Sequence, residues 1–157
     1  MSLAEIQFQV LTDKDLEQVL ELDRICFGGL WSLDSYKREI ESPNSYLLII
    51  TVNTHSGTKV IGFGCFWAIL EEAHITILAI HPDFQGQGLG SLLLENLLKE
   101  AVNRKLERAT LEVGENNTKA INLYQKFGFK EAGRRKKYYK KTGEDALILW
   151  KSIRENT

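Results

Sequence analysis

A glycine-rich turn between a predicted strand and a predicted helix is the part of this sequence best suited to hold an anion. Residues 80–90 read Ile-His-Pro-Asp-Phe-Gln-Gly-Gln-Gly-Leu-Gly, which places glycines at 86, 88 and 90. Glycine lacks a Cβ, so the backbone can come close to a ligand, and the first amides of a helix are unpaired donors at its positive end. We therefore predict that backbone amides around residues 86–91 bind a pyrophosphate group.

Two other interpretations of this turn stay open. A glycine-rich turn can serve only to connect a strand tightly to a helix. Gly86 and Gly88 also match the first half of the dinucleotide fingerprint Gly-x-Gly-x-x-Gly, and Glu112 imitates its acidic residue about 20 positions on. The third glycine of that fingerprint is replaced by Ser91, and a predicted β-hairpin precedes the turn where strand–helix repeats should stand. Both features disfavour the dinucleotide interpretation.

Glu112 is a candidate general base. The tripeptide Leu111-Glu112-Val113 places a carboxylate within an apolar strand. Desolvation makes a carboxylate a stronger base, and an amine must lose a proton before or while it attacks a carbonyl carbon. A carboxylate that faces solvent on an edge strand would fit the same residues, so both interpretations stay open on the residues alone.

The composition is that of an ordinary globular protein and predicts a single domain over residues 1–157. Of the 157 residues, 43% are hydrophobic and 26% are charged, and the formal net charge is -1. A chain of this length can close one core of its own. The balanced charge predicts no general attraction to nucleic acid or to acidic membranes.

Cysteine, histidine and hydropathy patterns disfavour several kinds of site. Cys26 and Cys65 each lie in an apolar run, which indicates free buried thiols and a reducing compartment. His55, His74 and His81 lack the spacing of metal ligands, so we predict no metal. No uncharged run reaches the roughly 20 residues that span a bilayer, and no leader opens the chain. We expect a cytoplasmic protein without membrane contacts.

Hydrophobic periodicity predicts an α+β fold with a mixed sheet. Helical spacing of leucines is clearest after the glycine-rich turn, and the two long apolar runs before it indicate a hairpin. Strands are predicted at 6–10, 46–52, 60–70, 73–80, 109–113, 129–132, 135–140 and 146–151. Helices are predicted to run from residue 12 or 13 to Gly28, at 31–40, at 88–105, and from Asn116 or Asn117 to Phe127.

The turn and its lead-in resemble the Gcn5-related N-acetyltransferases (GNAT). Residues 85–90 match that family's Gln/Arg-x-x-Gly-x-Gly/Ala loop, and residues 80–85 match its Ile-x-Pro-x-x-Gln segment. The resemblance implies the GNAT acyl-CoA N-acyltransferase fold, an α+β fold with about seven strands and about four helices. It also implies acetyl-CoA as cosubstrate, bound in a V-shaped gap between two splayed parallel strands, those containing Ala79 and Leu111. The acceptor amine would arrive from the opposite side.

The resemblance also implies which residues contact the coenzyme. In the family, the strand before the loop carries a bulge whose backbone pairs with the pantetheine arm and polarises the thioester carbonyl, and Leu78-Ala79-Ile80 occupy that place here. The implied coenzyme-binding residues are Leu78, Ala79, Ile80, Gln85, Gly86, Gln87, Gly88, Leu89, Gly90, Ser91 and Asn117.

A closer resemblance is to the bacterial ribosomal-protein alanine N-acetyltransferases of the RimI family. It rests on Leu111-Glu112-Val113 and on residues 116–124 and 126–129. It implies that Glu112 takes the proton of the amine and that Tyr124 protonates the departing thiolate. Asn117 would contact the coenzyme and cap its helix. Simple core packing beside Leu123 and Phe127 is the alternative role for Tyr124.

Segments that resemble the RimI peptide groove point to the acceptor. Residues 134–139 and 143–146 look like its Arg-Arg-x-x-Tyr-Tyr and Gly-Glu-Asp-Ala segments, which implies substrate-binding roles for Trp31, Tyr138 and Tyr139. The implied acceptor is a protein N-terminus, an N-terminal alanine of a small-subunit ribosomal protein. The family's proline before Trp-Ser is missing, because Gly28-Gly29-Leu30 precedes Trp31. We expect a looser loop there, which puts the choice of acceptor in doubt.

Two further functions stay open. The same fold could acetylate lysine side chains, polyamines or small metabolites, or it could be a non-catalytic acyl-CoA sensor or ribosome-binding module. The basic segment 134–141 is either a solvated hairpin or a contact with ribosome or RNA, and the overall charge disfavours nucleic acid as the main partner. No oligomeric state follows from the sequence.

Overall fold

A seven-stranded mixed sheet forms the centre of the computed structural model, which describes residues 5–139 and 142–154. The side chain of Tyr139 also lies outside the described part. The strands are β1 (Ile6–Val10), β2 (Ser45–Thr54), β3 (Gly57–Ile69), β4 (Glu72–Ile80), β5 (Arg108–Gly114), β6 (Lys130–Tyr139) and β7 (Glu144–Ser152). Their order is β1-β2-β3-β4-β5-β7-β6, and β4 with β5 is the parallel pair in this sheet. The predicted α+β fold with a mixed sheet is confirmed.

Four α-helices cover the sheet in the described part of the chain. They are α1 (Leu16–Phe27), α2 (Leu33–Glu41), α3 (Leu89–Asn103) and α4 (Thr118–Lys126). Ser32 caps α2 by accepting the Ser35 amide at 3.1 Å, and Asn117 caps α4 by accepting the Ala120 amide at 3.2 Å. The predicted helices are confirmed within about two residues at their ends, except that α1 begins at Leu16, after a short 3-10 turn over Asp13–Asp15 where the sequence predicted its first residues.

The two faces of the sheet bury separate apolar clusters. On one face α3 and α4 pack through Leu93, Leu97 and Tyr124, and Leu111 of β5 belongs to the same cluster. On the other face α1 and α2 pack over β2, β3 and the end of β4, and Tyr36 is fully buried there. Removal of these apolar side chains from water is the main source of stability. Helices α1 and α2 make their sheet contacts with β2, β3 and β4.

β6 is one strand where the sequence predicted two. Its pairing with β7 shifts register between Glu131 and Gly133 and again between Arg135 and Tyr139. Lys137 in the second irregular stretch has a φ of 52°, and its amide donates to Asp145 Oδ1 at 2.8 Å. Extra residues at a bulge break the alternation of side chains while the strand continues, which explains the predicted interruption. Lys140, the predicted end of the second strand, lies outside the described residues.

The parallel strands β4 and β5 diverge after a short paired stretch. They pair from Glu72–Ile75 with residues 108–111, and both strands then continue without pairing to each other. Directly after Ile75 the register of β4 against β3 shifts, because Phe66 pairs with Ile75 and Cys65 pairs with Ile77. Thr76 is thus the extra residue of a bulge. The predicted V-shaped gap is present.

The predicted position of the bulge was wrong. Residues 78–80, where the family resemblance placed it, pair regularly with β3, and the bulge lies at Thr76 instead. A bulge adds one residue to a strand and bends it, and neither effect needs a special residue type. The bend at Thr76 turns the remainder of β4 away from β5.

The structure also describes the two cysteines and the lengths of the helices. Cys26 and Cys65 are free thiols, half-buried and buried respectively. No helix within the described ranges is long and apolar enough to cross a bilayer.

A side chain at Gly64 of β3 should be destabilising. A Cβ at this position would lie 2.8 Å from Leu97 Cδ1 and 3.3 Å from Leu93 Cγ, so these two buried side chains of α3 would have to shift. We expect Gly64→Ala to lower the free energy of unfolding by about 1–3 kcal/mol in urea denaturation. In the control Gly133→Ala the nearest atom is Ile148 Cδ1 at 3.8 Å, and a change within about 0.5 kcal/mol is expected. Equal stability of the two variants would contradict this packing.

Candidate active site

A cleft of about 530 Å³ opens beside the gap between β4 and β5. It is bounded by the end of β4, the glycine-rich turn, the start of α3 and one face of α4. Ten residues predicted from the sequence line it, namely Leu78, Ile80, Gln85, Gly86, Gly88, Leu89, Gly90, Ser91, Asn117 and Tyr124. The fold therefore brings the end of a strand, a turn and a later helix together around one cavity.

The turn presents a row of unpaired backbone donors. Gly86 has a φ of 80° and Gly88, the N-cap of α3, a φ of 79°, a region that favours glycine. Within the described chain, the amides of residues 86–91 donate to no protein acceptor, whereas the Leu92 amide donates to Gly88 O. Gln85 braces the turn through its side-chain amide, which donates to Ile80 O at 3.0 Å. Such converging donors at a helix N-terminus suit an anion.

Three of the predicted coenzyme residues, Ala79, Gln87 and Gly90, do not direct a required side chain into the cleft. The side chain of Ala79 is buried in the cluster under α1 and α2, so only its backbone faces the gap. Gln87 is exposed and lies outside the cleft lining, although its amide belongs to the unpaired row. A Cβ on Gly90 would lie 3.7 Å from Leu123 Cδ2, an ordinary contact, so the protein itself does not require glycine there.

Tyr124 presents a protonated phenol to the cleft. Its ring packs edge-on against Phe129 with centroids 5.8 Å apart, and the residue is 8% exposed. Burial raises the pKa of Tyr124 to about 12, so the hydroxyl stays protonated at neutral pH. In the described part of the chain, every buried side-chain oxygen has a hydrogen-bond partner. The Tyr124 hydroxyl makes no hydrogen bond to a described residue, so it must be accessible to solvent. Core packing and a cleft-facing hydroxyl are thus combined in one residue.

Glu112 lies on the opposite face of the sheet from Tyr124. Leu111 and Val113 are buried in the cluster that contains Tyr124, and alternation along β5 therefore turns Glu112 to the other side. Its carboxylate is not desolvated as expected: the residue is exposed, and Glu112 Oε1 lies 3.0 Å from Arg135 Nε. The sequence missed this partner because β7 separates β5 from β6, and the pairing becomes visible only in the folded sheet.

Two aromatic groups stand on the face that carries Glu112. The Trp31 indole stacks on Trp67 with centroids 6.0 Å apart and an interplanar angle of 3°. On the other side, the Arg135 guanidinium lies over the Tyr138 ring at 5.6 Å. Glu112 therefore has Trp31 towards one side and Tyr138 towards the other. The predicted Tyr139 ends β6, but its side chain lies outside the described part.

The loop before Trp31 is not loose, contrary to expectation. The amides of Leu30 and Trp31 donate to the two carboxylate oxygens of Asp23, at 2.6 and 3.0 Å. Proline is therefore not needed to restrain this loop, because a side chain of α1 does so. No cluster of three or more potential metal ligands occurs among residues 5–139 and 142–154.

The sequence profile of the Acetyltransferase (GNAT) family matches residues 16–129. The chain belongs to this acetyltransferase family. It is 40% identical over 142 residues to the [ribosomal protein bS18]-alanine N-acetyltransferase of Salmonella typhimurium, covering 89% of this chain and 93% of that one.

Solved structures agree with this assignment. The crystal structure of the ribosomal-protein-S18-alanine N-acetyltransferase from Escherichia coli has a TM-score of 0.85 at 30% identity, with 97% of this chain and 96% of that chain covered. Arabidopsis thaliana NAA60 in complex with acetyl-CoA has a TM-score of 0.85 at 16% identity, covering 94% and 98%, and shares the fold. The resemblance predicted from residues 78–139 is confirmed, and the chain is an N-acetyltransferase of the GNAT family.

Several cleft residues of this acetyltransferase were missed by sequence reasoning. Lys119, Asn122 and Lys126 of α4 line the cleft, together with Phe84, Ala120 and Leu123. Lys119, Asn122 and Lys126 are three and four residues apart, which places them on one side of α4, and this spacing is visible in the sequence. Neither the Asn117 cap nor Tyr124 by itself indicates that this side of α4 faces a cavity. The two lysines add positive charge to a cleft that already presents amide donors.

Proposed function

We propose that this chain transfers the acetyl group of acetyl-CoA to the N-terminal α-amino group of a protein. The proposed preferred acceptor is the N-terminal alanine of a small-subunit ribosomal protein, the activity named for the bacterial relatives. The observation that carries the proposal is the row of unpaired amides at residues 86–91, which opens into the same cleft as the Tyr124 hydroxyl.

The cleft fits the coenzyme in three respects. Amides 86–91 would hold its diphosphate, and Lys119 and Lys126 would favour its negative charge. The cavity volume of about 530 Å³ suits a cofactor-sized ligand. The edge of β4 beyond Ile75 has no strand partner towards β5, so its backbone groups are available to the amide-rich arm of the coenzyme. When bound, acetyl-CoA supplies the acyl thioester next to the gap.

Glu112 and Tyr124 would manage the two protons of the transfer. The amine nitrogen forms a bond to the acetyl carbon while the carbon–sulfur bond breaks. Glu112 accepts the proton that the amine loses, and Tyr124 gives its phenolic proton to the departing sulfur. Because the two residues lie on opposite faces of the sheet, the gap between β4 and β5 is where amine and thioester would meet. Arg135 Nε lies 3.0 Å from Glu112 Oε1 and would help to orient the carboxylate.

Charge pairing on the acceptor face favours a peptide over a polyamine. Glu112 is paired with Arg135 and Glu72 with Arg108, each at 3.0 Å. A polyamine brings several ammonium groups and binds best to carboxylates that lack partners. A peptide N-terminus brings one amine, and its pKa near 8 leaves far more of it neutral at pH 7 than a lysine with a pKa near 10.4.

The choice of acceptor is tested with peptides and polyamines. Acetyl-CoA is incubated with a peptide that has a free N-terminal alanine and an internal lysine, with the same peptide blocked at its N-terminus, and with spermidine. Thiol release should occur with the free N-terminus and be close to background with the other two. If the blocked peptide is acetylated as fast as the free one, the acceptor is the lysine side chain. If only spermidine is acetylated, the acceptor is a polyamine. Binding of acetyl-CoA without turnover of any acceptor would indicate a non-catalytic sensor.

The roles of Glu112 and Tyr124 predict distinct kinetic defects. Glu112→Gln should lower kcat/KM by about 10²–10⁴-fold, with partial recovery as rising pH deprotonates the amine. Tyr124→Phe should lower kcat while the Kd for acetyl-CoA stays within about twofold, because the lost hydroxyl acts on the leaving group. With a Tyr124 pKa of about 12, the wild-type rate should show no alkaline loss from this group up to about pH 10.

Matched controls separate these roles from general damage. Glu131 is also a glutamate paired with an arginine, Arg134, and Glu131→Gln should leave the rate unchanged. Tyr46 also packs its ring against a phenylalanine, with centroids 5.4 Å apart, and Tyr46→Phe should keep kcat. Full activity of Glu112→Gln and Tyr124→Phe would show that the proton transfers are assigned to the wrong residues.

A further inference from the structure

Asp23 is a fully buried carboxylate for which the acetyl-transfer chemistry has no direct use. It lies on α1 and is 0% exposed. Its Oδ1 accepts the Leu30 amide at 2.6 Å, and its Oδ2 accepts the Trp31 amide at 3.0 Å and the Tyr36 hydroxyl at 2.6 Å. Burying a carboxylate is unfavourable unless such donors replace water. The arrangement therefore couples α1, the following loop and α2 through one side chain.

Apart from the Trp31 ring, which packs against Tyr36 and Trp67, the loop that Asp23 holds is exposed and rich in glycine. It contains Gly28 and Gly29, and Leu30 is 51% exposed. Two successive amides of this exposed segment nevertheless point inward to one buried carboxylate. Hydrogen bonds to a carboxylate are stronger than those to a neutral acceptor, and the one from the Leu30 amide is short, at 2.6 Å. Asp23 thus supplies a restraint that the glycines do not.

The restrained loop ends at one wall of the acceptor face. Trp31 follows Leu30, and its indole stacks on Trp67, whose N–H donates to Glu39 at 2.9 Å. Trp67 pairs across the sheet with His74, and His74 pairs with Thr110, two residues before Glu112 on the same face. With strands about 4.8 Å apart, Trp67 lies about 10 Å from Thr110 across the sheet. The position of Trp31 therefore sets one boundary of the space next to Glu112.

We propose that Asp23 is the positioning residue of the acceptor site, which fixes the Trp31 wall against which the residues after the acceptor's N-terminus pack. This proposal rests on the proposed function, in which the acceptor is a peptide. Asp23 acts through Trp31 and contacts neither substrate. Its loss should therefore weaken acceptor binding and leave coenzyme binding, on the far side of the gap, unchanged.

Kinetics separate this role from a general effect on folding. Asp23→Asn keeps the shape of the side chain but cannot accept from all three donors, because one oxygen becomes an NH₂ group. The KM for the peptide should rise about tenfold or more, while kcat at saturating peptide changes less than about threefold and the Kd for acetyl-CoA stays within about twofold. Asp34→Asn, an exposed aspartate on α2 three residues after Trp31, should change none of these quantities.

A second variant keeps the test independent of the folding of Asp23→Asn. Tyr36→Phe removes one of the three donors and keeps the buried ring, so the KM for the peptide should rise by a smaller factor, about two- to fivefold. Unchanged peptide KM in both variants would overturn the proposal. A parallel loss of acetyl-CoA affinity and of peptide affinity would also overturn it, because the defect would then be general.

Amide hydrogen exchange tests the restraint without any assay of activity. In the wild-type protein the Leu30 and Trp31 amides should exchange slowly although their loop is exposed, and Tyr36→Phe and Asp23→Asn should accelerate both by at least about tenfold. Equal exchange in all three proteins would contradict the restraint. If the wild-type protein acetylates no peptide, the proposed function fails, and the exchange rates still decide whether Asp23 holds the loop.

Discussion

The divergence of β4 from β5 after Ile75 is the constraint on which the rest of this structure depends. A parallel pair normally continues along the length of both strands, and here it stops after four residue pairs because a bulge at Thr76 bends β4. The divergence leaves the edge of β4 without a partner and opens a passage through the sheet. The cleft, the glycine-rich turn and the face that carries Glu112 all border that passage.

The two sides of the passage offer different environments to Tyr124 and Glu112. On one face, an apolar cluster surrounds the ring of Tyr124 and raises the pKa of its phenol, which keeps a proton available. On the other face, Glu112 is open to solvent and lies 3.0 Å from Arg135 Nε. A closed sheet would keep these groups apart. The apolar surroundings of Tyr124 and the solvent exposure of Glu112 therefore result from the alternation of side chains along β5 and from the gap beside it.

Local features of the site were predictable from the sequence, and long-range pairings were not. Gly86 and Gly88 adopt the left-handed conformation that favours glycine in a tight turn, and Asn117 caps α4 as expected. The bulge at Thr76 escaped prediction because no residue type is specific for it. The partner of Glu112 escaped because β7 inserts between β5 and β6.

Asp23 was partly predictable from the sequence. It lies four residues after Val19 on the buried side of α1, so a charged residue at an apolar position was visible in the sequence. Its donors at Leu30, Trp31 and Tyr36 are close in sequence, but the turn that brings their groups to one carboxylate is not encoded in any simple pattern.

Calorimetric titration with acetyl-CoA and with acetyl-pantetheine, which has the same thioester arm but lacks the diphosphate and the 3′-phosphoadenosine attached to it, tests the central claim most directly. If the amides of residues 86–91 hold the diphosphate, acetyl-CoA should bind at least about a hundredfold more tightly than acetyl-pantetheine. Equal affinity for the two ligands, or no binding of acetyl-CoA by folded protein, would contradict the account.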